Sequence, residues 1–392
     1  MKQGLSRDDS LAVKGIAVLM LLFHHLYCST GRFDGYAVSF FPFSEESIVE
    51  LALLFKNCVS IFAFISGYGL LKSIAAVPPG RRAVFAWNAA RLIRLLSGFW
   101  FAYAAAFLVT LCLSGLPLET YFGGSRVAGF FYMLNDFFGL AGLFETPTMN
   151  STWWYMSAAV VYVLLVPLIY PVVRKVGYLP VLSVAAALPR LLNSGYPGGK
   201  DPYSFLLPFL FGMLFADYDL FGRIERRFPA DCPRRYALHF LLWGGLIALS
   251  YSVSRNYGHT EAWELNLGVL PLAYLCFFRF CLIRLPGLRQ VLLFLGRHSM
   301  TVFLTHTFIQ FTYLQDLIYA SGHFVLNFFV LFALSLVLAL LLDALRGLCR
   351  YDRLTEALIR RITGRPFVLR QCTLTAAAFR VGLDTVFKRC VA

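Results

Sequence analysis

Long apolar runs separated by short polar breaks dominate this chain of 392 residues. A bilayer core about 30 Å thick needs about 20 apolar residues per helix, and eleven runs approach or exceed that length. The pattern predicts an all-α integral membrane protein without room for a soluble globular domain. The runs cover about residues 11–29, 49–74, 92–115, 127–144, 153–172, 176–193, 203–218, 236–254, 263–283, 298–319 and 323–344.

The run 127–144 departs from the others because it contains Asn135, Asp136 and three glycines. If all eleven runs crossed the bilayer, the later arginine-rich loops would fall outside, against the usual cytoplasmic placement of basic loops. We therefore expect a re-entrant or interfacial segment near 127–144. Ten transmembrane helices remain, with both termini in the cytoplasm and every arginine-rich loop facing inward.

The charge distribution follows the same topology. The chain is 59% hydrophobic and 14% charged, and its formal net charge of +14 comes from short loops and the last fifty residues. No surface of the kind that binds nucleic acid is indicated, and the nine scattered cysteines predict neither a metal site nor a disulfide framework. We expect a transmembrane domain over 1–345 and a basic cytoplasmic tail over 346–392 that lies against the anionic inner leaflet.

The segment KGIAVLMLLFHHLY, Lys14 to Tyr27, places a lysine and two histidines in an apolar helix. Ionisable groups at membrane depth are costly and mark a functional site by default. Lys14 and His25 are eleven residues apart, so they share one helix face about 16 Å apart along the axis, whereas His24 points away. His25 is suited to take a proton from a hydroxyl, and His24 is a weaker candidate for substrate contact. Alternatively, Lys14 snorkels to the headgroups and the histidines bond to backbone carbonyls.

The segment RLIR, Arg91 to Arg94, opens the third predicted helix on the cytoplasmic side. Arginines three residues apart share a helix face and can bind phosphates with both guanidinium edges. Positive-inside topology alone would also place arginines here. A phosphate-bearing donor such as an acyl-CoA becomes a substrate candidate if Arg91, Arg94, Lys14 and His25 line one cavity.

Three further segments offer candidate residues. SGYGLLKS supplies Ser66 and Tyr68, although its glycines favour helix packing. GRHSMTVFLTH places His306 at a depth near that of His25, where it could bind substrate or cap a polar contact. We expect Trp153 and Trp154 at the outer interface, where they could offer aromatic surface to a sugar or simply form an aromatic belt.

Carboxylates are nearly absent from the predicted helix interiors. A transporter or flippase for a glycan or lipid-linked intermediate is the alternative class, supported by the helix number. It lacks support from inverted repeats or from a carboxylate proton relay. No nucleotide-binding, serine-hydrolase or metalloprotease motif occurs in a suitable context.

Taken in order, these segments resemble the acyltransferase-3 family of bacterial membrane proteins, which includes O-acetyltransferases of surface glycans. The similarity covers about residues 5–345 and extends over six short motifs on the ten-helix topology. The membrane-bound O-acyltransferases also have a buried histidine, but the RLIR and SGY segments favour the first family. The six motifs are KGIAVLMLLFHH, ISGYGLL, RLIR, STWWYMSAAVVYVLLVPLI, LPFLFGMLF and LGRHSMTVFLTH.

The resemblance implies a membrane O-acyltransferase of the bacterial inner membrane. Acetyl-CoA or another acyl-CoA would be the donor substrate, with no permanently bound cofactor, and a cell-surface or lipid-linked glycan the acceptor. It implies that His25 is the essential histidine and that Arg91 and Arg94 form the pair on the acyl-donor side. Lys14 stands where the family typically has arginine, so a forked contact becomes a point charge.

Overall fold

The structure, a computed structural model, describes residues 4–192, 199–257 and 264–364. These residues are mostly helical and contain no strand, only an isolated bridge between Ser39 and His323. In chain order the helices are α1 (Arg7–Tyr27), α2 (Glu45–Leu54), α3 (Asn57–Ile74), α4 (Arg81–Leu113), α5 (Leu116–Phe122), α6 (Arg126–Phe137), α7 (Ala141–Phe144), α8 (Trp154–Val176), α9 (Tyr178–Leu191), α10 (Leu206–Asp217), α11 (Leu220–Arg227), α12 (Pro233–Tyr257), α13 (Leu270–Phe280), α14 (Pro286–Thr307), α15 (Gln315–Tyr319), α16 (Phe324–Leu348) and α17 (Tyr351–Thr363).

Seven helical spans within the described residues are long and apolar enough to cross a bilayer. The chain is therefore a multi-pass membrane protein. Two of the other predicted crossings fall on the shorter helices α9 and α10, and one falls on α14 and the segment after it. The count of ten and the cytoplasmic side of the termini stay predictions. The seven spans are Arg7–Tyr27, Glu45–Ile74, Arg81–Leu113, Ser151–Val176, Pro233–Val253, Asn266–Arg284 and Phe324–Leu348.

The segment 127–144 forms two short helices, α6 and α7, instead of one long one. The 12 residues of α6 extend about 18 Å at 1.5 Å per residue, well short of a bilayer core. A buried carboxylate, Asp136, holds the segment together. It accepts hydrogen bonds from the Tyr121 hydroxyl at 2.5 Å, the Thr148 hydroxyl at 2.9 Å and the Met149 backbone N–H at 3.0 Å.

Helices α1 and α14 cross with their backbones in contact, and two glycines permit the approach. A methyl group at Gly15 would lie 2.2 Å from the carbonyl oxygen of Leu292, and one at Gly296 would lie 1.9 Å from that of Leu11. Small residues at such crossings let membrane helices pack closely. The first predicted motif and the last are thus two sides of one helix pair.

Helices α3 and α10 form a second pair of the same kind. A methyl group at Gly67 would lie 2.0 Å from the carbonyl oxygen of Phe209, and one at Gly212 would lie 2.0 Å from that of Phe64. For Gly69, two residues further along α3, no atom of the described residues lies within 4 Å of such a methyl group. The SGYG segment therefore uses Gly67 for helix packing, as the sequence favoured.

Several basic segments lie around the N-terminal end of α1. Ser6 caps α1 in a capping box with Asp9, each side chain bonded to the other's backbone N–H at 3.1 Å. Asp9 also pairs with Arg289 at 3.0 Å, and the backbone N–H of Leu5 donates to the Tyr68 hydroxyl at 2.8 Å. The start of α1, the end of α3 and the start of α14 thus share one end of the bundle, which the topology predicts to face the cytoplasm.

Helix α8 contains a proline in its middle, Pro167, which cannot donate to the carbonyl four residues earlier. That carbonyl belongs to Val163, and the Asn88 side-chain amide of α4 donates to it at 3.3 Å. An asparagine on one helix thus compensates for a missing backbone donor on its neighbour, which ties α4 to α8.

The start of the predicted tail is structured. Helix α16 runs to Leu348, and α17 follows and packs against α4. Residues 365–392 of the predicted tail lie outside the described residues. The tail therefore begins with a helix docked on the bundle, and its proposed contact with the inner leaflet stays a prediction.

Candidate active site

His25 lies in the last turn of α1, and its ring packs against two other imidazoles. The ring centroids of His25 and His306 are 4.9 Å apart, and those of His25 and His24 are 5.3 Å apart. The Nδ1 atom of His25 is buried and has no hydrogen-bond partner among the described residues. The Nδ1 atom of His24 lies 2.7 Å from the carbonyl oxygen of Ala52, so His24 takes the carbonyl-bonding alternative.

His306, in the last turn of α14, is completely buried. Its Nδ1 atom lies 3.1 Å from the carbonyl oxygen of Val302 and 3.0 Å from that of Phe303. Its Nε2 atom is buried without a partner in the described part of the chain. The two histidines that the sequence placed at similar depths are therefore neighbours.

The C-terminal end of α1 is held by residues that the sequence analysis missed. The last carbonyls of a helix lack partners within it and need others. The Gln310 side-chain amide donates to the carbonyl of His25 at 2.8 Å, and the Tyr319 hydroxyl donates to that of Leu26 at 3.2 Å. Gln310 follows His306 by four residues, the spacing of one helix face, and this signal could have identified it.

Gln310 lies in a π-helical segment, Phe308–Tyr313, that continues directly from α14. Wider helical turns of this kind are rare and occur often at functional sites. The change in helix type falls just after His306 and places the Gln310 amide against the backbone of His25. The π-helical turn at the end of α14 therefore contacts the end of α1.

The segment before α8 anchors the end of α14 from the other side. The Asn150 side-chain amide donates to the Thr307 hydroxyl at 2.6 Å, and the Trp153 indole N–H donates to the carbonyl of Leu304 at 3.0 Å. Trp153 is 2% exposed. The ring is therefore buried against α14 and helps to fix His306 in place, so it does not face lipid as a belt residue would, and its position at the outer interface stays a prediction.

The other candidate side chains have the following surroundings. Trp154 is partly buried and its ring packs against Phe205, 5.5 Å between centroids. The Ser66 hydroxyl donates to the carbonyl of Phe62 in its own helix at 2.9 Å, and the Tyr68 hydroxyl holds the Leu5 backbone. Substrate contacts by His24, Ser66, Tyr68 or either tryptophan stay predictions.

The RLIR arginines lie about three turns inside α4, which begins at Arg81, so the prediction that RLIR opens this helix is wrong. They are close to the end of α3 and to α17. Arg91 donates a hydrogen bond to the Ser73 hydroxyl. Arg94 directs its Nη2 atom to Oε1 of Glu356 at 2.9 Å and its Nε atom to the same oxygen at 3.3 Å. The Arg94 side chain is only 12% exposed, so its guanidinium is a largely buried anion-binding group.

Lys14 is partly buried on α1, two turns beyond the Ser6 cap. Among the residues that the structure describes, no hydrogen bond or ion pair of Lys14 is found. The residues between Lys14 and His25 are mostly buried in the core with α14 and α3. The structure does not bring Lys14 into contact with Arg91 or Arg94, and a shared cavity stays a prediction.

The fold and this site define a multi-pass membrane protein with a histidine pair, one ring buried and one partly buried, at the end of two closely crossed helices. The acyltransferase-3 family model, described as an acyltransferase domain, matches residues 11–344, and the chain belongs to this family. It is therefore a membrane acyltransferase. Searches of the curated proteins and of the solved structures find no match.

Proposed function

We propose that the protein transfers an acetyl group from cytoplasmic acetyl-CoA to a hydroxyl of a cell-surface or lipid-linked glycan, in the bacterial inner membrane. The family supports acyl transfer in general. The observation that carries the proposal is the ring of His25, which has a buried, unpartnered Nδ1 atom among the described residues and lies beside a second imidazole. A buried polar atom without a partner is unusual, and a catalytic role is one of its explanations.

His25 serves as the general base in this proposal. It takes the proton of the acceptor hydroxyl as the oxygen attacks the thioester carbonyl, because a neutral imidazole with a free lone pair can act as a general base. The new bond joins the acceptor oxygen to the acyl carbon, and the bond from that carbon to sulfur breaks. The proton then passes from His25 to the departing thiolate, which leaves as coenzyme A.

Arg91, Arg94 and Lys14 hold the anionic donor in this proposal. Arg94 already binds a carboxylate, which supports its capacity to bind phosphate oxygens with the same forked geometry. Lys14 would add a compact positive charge deeper along α1. The three cations would keep coenzyme A at the end of the bundle where the basic loops gather.

The test of the catalytic role is His25→Ala in membrane vesicles supplied with radiolabelled acetyl-CoA and the glycan of the source strain. We expect loss of acetyl transfer at normal membrane abundance. His323→Asn is the matched control, since it removes an imidazole but keeps a side chain able to cap α16. Undiminished transfer by His25→Ala would refute the role of His25.

The donor site is tested separately with purified protein. The double variant Arg91→Ala with Arg94→Ala should weaken acetyl-CoA binding at least tenfold, because two charged contacts to phosphate are lost. Arg297→Ala removes an exposed arginine of α14 and serves as the control. Equal affinity of the double variant and the wild type would count against the donor role. Titration with succinyl-CoA and longer acyl-CoAs would show whether acetyl is preferred.

A further inference from the structure

The contact between His25 and His306 indicates a specific role for the second imidazole. We propose that His306 is a positioning residue: its Nε2 atom accepts a hydrogen bond from Nδ1–H of His25, which leaves the lone pair on Nε2 of His25 for the acceptor hydroxyl. The inference rests on the proposed function only in taking His25 as the base. The hydrogen bond itself is a property of the free protein.

The backbone determines which nitrogen of His306 carries the hydrogen. Its Nδ1 atom lies at hydrogen-bond distance from two carbonyl oxygens, those of Val302 and Phe303. Carbonyl oxygens only accept, so Nδ1 must be the donor, and the neutral ring then carries its lone pair on Nε2. That atom is buried with no donor against it among the described residues. His306 is therefore an acceptor without a donor.

His25 supplies the complementary atom. Its Nδ1 atom is also buried and also lacks a partner in the described part of the chain. The ring centroids are 4.9 Å apart, and the proposed hydrogen bond requires a rotation of the His25 ring about its χ2 bond that turns the two nitrogens toward each other. Hydrogen bonding of this pair satisfies both buried atoms at once, which neither achieves as they stand.

The surrounding contacts hold the two rings at this spacing. Gln310 fixes the backbone of His25, and Trp153 fixes that of α14 two residues before His306. Further along the same helices, Gly15 and Gly296 place the two backbones in direct contact. The rings thus approach each other from two mutually braced helix ends.

His24 is the competing neighbour, and its position argues against the same role. Its ring centroid is 5.3 Å from that of His25, farther than that of His306, and its Nδ1 atom is engaged with the carbonyl of Ala52. His306 is wholly buried and its Nε2 atom is unpartnered, whereas Nε2 of His24 is not among the buried unpartnered atoms. His306 therefore gains more from accepting the hydrogen bond.

The consequence for catalysis is a fixed tautomer. When His25 takes the proton of the hydroxyl on Nε2, its Nδ1–H bond to His306 becomes charge-assisted and stronger, and it steadies the imidazolium. A carboxylate fills this place in the serine-protease triad. Here a neutral imidazole fills it, which avoids the cost of a buried carboxylate in the membrane.

The direct test is nitrogen NMR of protein labelled with ¹⁵N-histidine in lipid nanodiscs. Ring nitrogen shifts distinguish a protonated from a bare nitrogen, and the spectra of His25→Gln and His306→Gln assign the two rings among the seven histidines. We expect hydrogen on Nδ1 of His25 in the wild type, and a mixture of tautomers in His306→Ala. Hydrogen on Nε2 of His25 in the wild type would overturn the proposal, and so would an unchanged tautomer in His306→Ala.

Acetyl transfer gives a second readout that a merely structural role would not reproduce. His306→Ala should lower kcat about 10- to 100-fold with little change in the KM for acetyl-CoA. His306→Gln, whose amide oxygen can accept the same hydrogen bond, should recover part of kcat. Thr305→Val is the packing control, because its buried hydroxyl donates within its own helix, to the carbonyl of Thr301 at 2.8 Å. An equal loss in Thr305→Val and His306→Ala would overturn the positioning role.

The two proposals can fail independently. If the wild type transfers no acyl group, the proposed function fails, while the nitrogen spectra still decide whether the two imidazoles share a hydrogen bond. If transfer depends on His25 but the spectra show no dependence on His306, the acyltransferase proposal stands and the positioning role is lost.

Discussion

Glu356 of α17 accepts hydrogen bonds from Arg94 of α4, although the two residues are 262 positions apart in the sequence. The Nη2 atom of Arg94 reaches both carboxylate oxygens, Oε1 at 2.9 Å and Oε2 at 3.3 Å. A carboxylate from the C-terminal helix thus occupies the guanidinium that we assign to the donor phosphates. Donor binding and docking of α17 would compete for the same group.

We therefore expect Glu356→Gln to bind acetyl-CoA more tightly. The pair is partly exposed, at 12% for Arg94 and 33% for Glu356, and such pairs contribute about 0.2–1 kcal/mol. The gain in affinity should thus be at most about fivefold, and isothermal titration in detergent would measure it. Asp352→Asn is the control, because Asp352 pairs with Arg346 instead. Unchanged or weaker binding in Glu356→Gln would contradict competition at Arg94.

The two glycines of the SGYG segment should respond oppositely to alanine. Gly67→Ala places a methyl group against the Phe209 carbonyl and should destabilise the protein by about 1–3 kcal/mol through overpacking. Gly69→Ala meets open space inside a helix and should be neutral or stabilising by up to about 1 kcal/mol. Thermal unfolding of the two variants in detergent checks this contrast. Similar melting temperatures would show that α3 and α10 do not pack as described.

Asp136 should make stability depend on pH. Burial raises the pKa of this carboxyl to about 6 from its usual value near 3.8, although three hydrogen bonds oppose the shift. The folded protein then binds the proton more tightly than the unfolded chain does. The stabilisation that protonated Asp136 gives the folded protein is fully present below about pH 4 and is lost as the pH rises through about 6.

The measurement is the melting temperature of wild type and Asp136→Asn between pH 4 and pH 7. The difference between them should change across this range, because only the wild type has the titrating group. Exposed Glu119 of α5 supplies the control Glu119→Gln, which should follow the wild type at every pH. A constant difference between Asp136→Asn and wild type would refute the proton linkage.

Asn88 and Pro167 should be energetically coupled, because both determine whether the Val163 carbonyl has a hydrogen-bond donor. Asn88→Leu leaves the Val163 carbonyl without its donor, and hydrogen bonds between membrane helices contribute about 0.6 to 1.7 kcal/mol. Pro167→Ala restores a backbone N–H for that carbonyl, so the loss should be smaller in its presence. A double-mutant cycle of unfolding free energies measures the coupling. Strict additivity would show that Asn88 does not serve this carbonyl.

The sequence predicted the all-helical membrane fold because apolar length is a local property. It could not settle the crossings at α9, α10 and α14. The helices α9 and α10 have 14 and 12 residues, fewer than one crossing needs, and α14 carries Arg289 in its first turn and Arg297 and His298 near its middle. Whether such helices cross depends on their neighbours, and composition does not show this.

The candidate site was predicted residue by residue but not as an arrangement. His25 and His306 stood out because imidazoles are rare in apolar helices, yet their contact depends on the crossing of α1 and α14. The role of Glu356 was not predicted, because the net positive charge of the tail suggested contact with the lipid surface throughout. A single acidic residue among many basic ones does not indicate which residue it pairs with. The burial of Trp153 was not predicted because tryptophan near a helix end is typical of an interface.

The glycine contact between α1 and α14 makes the spacing of the two imidazoles a matter of main-chain geometry. Because carbonyl oxygens of one helix lie against the glycine α-carbons of the other, no side chain separates the two backbones at these two points. In the proposed mechanism, residues of other helices could therefore change without moving the two imidazoles. The backbone contact would keep the distance between these imidazoles constant while the surrounding side chains vary.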